Sequence, residues 1–153
     1  SPADTAPAAS IANAPAVPSS GFKRFRVILG TTTLSRYGIG GLLKRVGGSF
    51  EAGFWIGKDL GIHVLGGGVS ESTYGLAEIE IVPLRLTLFR FENLIELGVL
   101  AGGHTDSPYM DWPRYLHAGA RLNLNLGDSW SLTTSLRLSP GASIADAGLA
   151  MHF

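Results

Sequence analysis

The sequence predicts an all-β fold, eight antiparallel strands closed into a transmembrane β-barrel, with a Pro/Ala-rich N-terminal tail ahead of it. Three observations lead there. From Phe22 to Phe153 apolar and polar residues alternate with a period of two, interrupted at short intervals by turn residues. Within the strands so defined, charges keep to one face. Charge is also scarce: Asp, Glu, Lys and Arg make up 16% of the 153 residues, against 45% hydrophobic, whereas soluble domains carry about 25% charge. No run approaches the roughly 18–20 apolar residues of a transmembrane helix. Such a chain crosses a bilayer only as a closed barrel, because every backbone N–H and C=O in hydrocarbon needs a partner.

Residues 1–20, SPADTAPAASIANAPAVPSS, are rich in Ala, Pro and Ser and hold one charge, Asp4. They have too little apolar surface to bury. Residues 1–21 are therefore expected to be a flexible periplasmic tail or linker, and residues 22–153 the barrel. Ser1, with no Met or apolar leader before it, reads as the processed start of an exported chain. The chain has no cysteine, which removes disulfides and thiolate metal sites. Twelve Lys and Arg balance twelve Asp and Glu, so no net field draws nucleic acid.

Strands are expected at 22–32, 49–57, 60–69, 73–89, 94–104, 114–126, 130–139 and 144–153. Gly57-Lys58-Asp59, Arg90-Phe91-Glu92-Asn93 and Gly127-Asp128-Ser129 read as tight turns. The connections between them are 33–48, 70–72, 105–113 and 140–143, mostly longer. Short turns at one end and longer loops at the other suit a barrel with both termini in the periplasm. Pro83 interrupts the fourth strand, and a bulge there restores its register.

The faces follow from parity. In the sixth strand Leu116, Ala118, Ala120, Leu122 and Leu124 alternate with His117, Gly119, Arg121 and Asn123. In the seventh, Trp130, Leu132, Leu136 and Leu138 alternate with Ser131, Thr133, Ser135 and Arg137. Arg24, Arg26, Glu51, Glu78, Glu80, Arg85, Glu96, Arg121, Arg137 and Asp146 fall on the polar face. The other charges after the tail fall in turns, loops or at the rim, and none on an apolar strand face. A cation facing lipid near the midplane costs about 2–4 kcal/mol, so this is the pattern a lipid-facing wall requires. Aromatics near strand ends (Phe22, Phe25, Tyr74, Phe89, Phe91, Tyr115 and Trp130) are expected to form interfacial girdles.

At the end of the chain Ala145, Ala147, Leu149, Met151 and Phe153 alternate up to the aromatic. This resembles the closing strand of bacterial outer-membrane proteins. The resemblance implies that Leu149, Met151 and Phe153 form an assembly signal read by the barrel assembly machinery. With the hairpin rhythm, residues 22–153 resemble the small eight-stranded barrels of the OmpA/OmpX type, a likeness of architecture. The long proline-rich tail departs from the simplest of these.

Eight strands enclose only enough space for side chains. The ten charged residues of the polar face are therefore expected to form a buried, paired network that fills the lumen. Glu78 and Glu80, two apart on one strand, resemble a catalytic carboxylate pair, but available arginines favour a structural role. His63, His104, His117 and His152 read as satisfied interior histidines; no ligand spacing marks a metal site, and no cofactor is expected. His104-Thr105-Asp106-Ser107 holds the residue types of a hydrolytic triad. Such groups normally converge from separate elements, so catalytic residues are not assigned. Arg36, Tyr37, Lys44 and Arg45 in loop 33–48, with Tyr109 and Trp112 in loop 105–113, are the candidate contact residues, the basic ones facing lipopolysaccharide phosphates. The Gly-rich run of 33–48 reads equally as strand extensions above the membrane. The function expected is a non-enzymatic outer-membrane barrel that anchors a partner through its tail (residues 1–20), loops or outer wall. Alternatives are a lipid A-modifying enzyme and, more weakly, a small pore.

Overall fold

The computed structural model describes residues 23–38, 40–105 and 114–153. The expectations for the tail, Phe22, Asp106, Ser107, Tyr109 and Trp112 lie outside the described residues. The chain forms eight strands: β1 Phe25–Gly38, β2 Gly41–Trp55, β3 Leu60–Val69, β4 Ser72–Leu88, β5 Phe91–His104, β6 Leu116–Asn125, β7 Trp130–Ser139 and β8 Ala142–His152. Each pairs antiparallel with the next, and β1 pairs with β8 from Arg26↔His152 to Arg36↔Ala142, closing the sheet.

Parity then decides the solvent. Odd positions of β1 face out and even ones in, so Leu29 is 63% exposed while Ile28 is 6% and Arg26 1%. The same holds around the ring: Phe50, Val64, Ile79, Val99, Leu122 and Leu136 stand on the outside, and Glu51, His63, Glu78, Glu80, Arg121 and Arg137 are buried. Alternation alone fits a soluble sandwich equally well. In the closed sheet the charged face is the interior and the apolar face the exterior, an arrangement that water penalises and hydrocarbon rewards.

The fourth strand carries the bulge at Pro83. Pairing with β5 steps from Ile81↔Val99 to Leu84↔Leu97, so Val82 and Pro83 oppose Gly98 alone. Val82 still donates to the Asp59 carbonyl at 2.9 Å, and Pro83, which has no N–H to give, sits within the bulge.

The largest change of bounds concerns 33–48, which takes the strand-extension form and not the loop: β1 runs on to Gly38 and β2 starts at Gly41, in register from Thr33↔Val46 to Gly38↔Gly41. Pairing of β2 with β3 stops at Gly47↔Val69, so the tip of the β1–β2 hairpin rises past the β3–β4 turn. Arg45 braces its base through the Ser70 carbonyl at 2.8 Å. The other connections at this end, 70–71 and 140–141, are tight as well, and only 105–115 is long. Lys44 thereby falls on the outward parity of β2 within a strand, in the part above that turn.

Candidate functional site

Every strand contributes at least one polar side chain to the lumen, β6 three (His117, Arg121, Asn123) and β7 four (Ser131, Thr133, Ser135, Arg137), and the charged ones pair mutually. Arg26 of β1 bridges Glu80 and, at 3.5 Å, Glu51. Arg121 of β6 donates to Glu51 at 2.6 Å and Glu80 at 2.8 Å. Arg137 of β7 grips Glu78 with two bonds, 2.7 Å from Nε and 2.5 Å from Nη2, and also bridges Asp146 of β8. His63 Nε2 stands 2.9 Å from Glu80, and His117 Nε2 3.0 Å from Glu78. Three guanidiniums and four carboxylates are thus joined through imidazoles into one lattice that crosses the barrel. Desolvating so many charges is tolerable only because each is paired: the three arginines and three glutamates each meet more than one opposite charge, and Asp146 meets Arg137.

Glycines make the space for it. A methyl group on Gly53 would strike the His63 ring, its register partner, and one on Gly98 would strike the Glu80 carboxylate. Trp55 lies under the lattice, 6% exposed, with the Arg26 guanidinium 5.1 Å from its ring centre and His63 edge-on at 5.4 Å. Towards the other end Leu34, Leu65, Val69, Tyr74, Leu76 and Ile144 pack as an apolar plug. Beside Glu51 and Arg121 a cavity of about 10 Å³ is left, room for roughly one water.

The structure divides the ten lumen residues. Arg26, Glu51, Glu78, Glu80, Arg121, Arg137 and Asp146 meet in the lattice. Arg85 and Glu96 form a separate group at the tight-turn rim: Arg85 bridges Asp59 and lies 3.5 Å from Glu96, which accepts from Asn125 at 3.1 Å. Arg24 sits before β1, exposed, and is corrected out of the interior; its carbonyl accepts from Trp55 N–H at 2.7 Å. Tyr74 is corrected out of the girdle. It shares the parity of Glu78 and Glu80, is 4% exposed, and bonds Thr32 and, at 3.4 Å, Asp146. Parity would also have placed Trp55 inside, since it is four residues from Glu51.

The contact residues also part. On the protruding hairpin Arg36, Leu43 and Arg45 take the inward parity, over the mouth, whereas Tyr37, Leu42 and Lys44 take the outward one. Burial and the neighbouring Arg45 charge push the Arg36 pKa down. His104 of the hydrolytic run turns inward to His117. Leu149 of β8 and Phe153, just past its end, are exposed, and Phe153 exchanges backbone bonds with Phe25 at 2.9 and 3.3 Å.

No protein-family profile matches the chain, and no curated protein does either. Solved structures do. Ail, the attachment invasion locus protein of Yersinia pestis, superposes with a TM-score of 0.58 at 16% identity, over 86% of this chain and 99% of Ail. Ail in complex with the heparin analogue sucrose octasulfate gives 0.55 at 16% identity, over 85% and 97%. A de novo designed transmembrane β-barrel gives 0.54 at 15% identity, over 82% and 95%. At these identities the likeness concerns architecture: the chain has the closed eight-stranded fold of transmembrane barrels such as Ail.

Proposed function

We propose that this protein is a non-enzymatic barrel of the bacterial outer membrane that engages a partner at the cell surface through its β1–β2 hairpin. The observation that carries this is the contrast between the two ends of the fold's polar inventory. The lumen charges are spent on one another, while Arg36, Tyr37, Lys44 and Arg45 stand on a hairpin whose β2 side rises past the β3–β4 turn and whose β1 side stays paired with β8 as far as Arg36↔Ala142. The start of β1 and the end of β8 lie at the opposite end, away from the long connection 105–115, and assigning that end to the periplasm directs the hairpin outward. Lys44 and Tyr37 on the outward parity suit head-group phosphates. Arg36 and Arg45 over the mouth suit an anionic glycan or a protein's acidic surface. Ail was crystallised with a sulfated sugar, and the same class of ligand fits this basic hairpin. Residues 1–20 remain a second contact element on the periplasmic side, and Leu149, Met151 and Phe153 the signal for the barrel assembly machinery.

The test is binding of sucrose octasulfate and of lipopolysaccharide to the refolded protein, compared with R36A/K44A/R45A and with a form starting at Gly21. Loss in the triple variant alone supports the hairpin as the contact surface. Equal binding by all three forms sinks it, and loss on tail removal moves the contact to residues 1–20. Lipid A analysis of a deletion strain tests the enzyme reading, for which the inward turn of His104 offers no support.

A further inference from the structure

At the outer end of the lumen β5 and β6 bring two histidines together. His117 lies opposite Gly102 in the register, and His104 is the next inward position along β5. The intervening Gly102 has no side chain to separate them. His104 Nδ1 and His117 Nδ1 are 3.2 Å apart. Each ring is held from behind: Glu78 Oε2 is 3.0 Å from His117 Nε2, and Ser139 Oγ is 3.4 Å from His104 Nε2. Both residues are 5% exposed.

We propose that His104 and His117 form a two-imidazole site for a first-row divalent cation, with Cu(II) the tightest binder. Three features point there. A cation bound 2.0–2.1 Å from each of two nitrogens 3.2 Å apart makes an angle of about 100°, near tetrahedral. The Glu78 carboxylate behind His117 is the outer partner that orients a ligating imidazole and raises its basicity. Glu78 is itself fixed by Arg137, so the ring is positioned before any ion arrives. Among the described residues no third His, Cys, Asp or Glu joins the pair. The protein therefore supplies two ligands, and the remaining coordination positions would have to be filled from outside it. The inference is independent of the surface role proposed above.

The experiment is a Cu(II) titration of untagged full-length protein refolded in detergent, followed by electron paramagnetic resonance. One equivalent is expected, with splitting from two nitrogens. His104→Ala should weaken binding by more than the roughly tenfold that losing an outer partner alone costs. His117→Gln, which keeps an amide donor for Glu78, should do the same, and His152→Ala should leave binding intact. His104→Ala cuts only the links to His117 and Ser139, and its unboiled gel mobility checks that the barrel has closed. No binding to the native protein, no nitrogen splitting, or equal binding by folded His104→Ala overturns the proposal.

Discussion

At the scale of single residues the interior is a lattice in which no charge has a private partner. Arg121 touches Glu51, Glu78 and Glu80. Arg121→Met therefore orphans carboxylates in a desolvated space and is expected to cost about 3–5 kcal/mol, read from urea unfolding in lipid vesicles. Gly53→Ala should also destabilise, since its methyl displaces the His63 ring, and the same assay checks it. Much of this was legible beforehand. Parity put Glu78, Glu80, Arg121 and Arg137 on one face because alternation survives any error in strand ends. Tyr74 was misread because position near a strand end was weighed above parity. The His104–His117 contact was beyond reach: it depends on a register between β5 and β6 across a long loop, which alternation does not specify.

At the scale of elements, strands inside hydrocarbon were easy to find and strands outside it were not. Both faces of the β1–β2 tip are exposed, Leu42 on one and Leu43 on the other, so no packed core demands apolar alternation there. Ser35, Gly38, Gly40 and Gly41 then look like loop residues. The bulge was legible because Pro83 coincides with a change in the parity of charge, from Glu80 to Arg85. Two predictions follow the boundary between these regimes. Replacing residues 35–44 by an Asn-Gly turn between the partners Leu34 and Arg45 should leave a barrel that still migrates faster unboiled. Leu136→Arg, in the middle of β7 and facing out, should cost about 2–4 kcal/mol, seen in the same vesicle unfolding assay.

At the scale of the molecule the lattice and the apolar plug together fill the bore. Planar-bilayer recordings are expected to show no discrete conductance steps; reproducible steps in purified protein would refute the filled-lumen reading. Fold class was the most legible property because it rests on a global balance, charge inward and apolar surface outward, to which every strand contributes. Biological role was the least legible, since it resides in a few residues at the ends, where the bilayer imposes no pattern.

The seam between β1 and β8 has a kinetic meaning. Backbone bonds between Phe25 and Phe153 join positions at opposite ends of the ring sequence. Every other seam is a hairpin that forms locally, but this one waits until all the others stand in order. A sheet of seven seams inserted in lipid carries two bare edges, each with a row of unmatched N–H and C=O groups. Partial insertion is thus penalised along its whole length, and the last bonds to form release that penalty at once. Entry into the bilayer and ring closure are then coupled in a single late event, slow because its contacts are the most distant in the chain. A chain that lacked β8 would keep both edges bare and stall at the threshold, folded nearly everywhere yet unable to leave water.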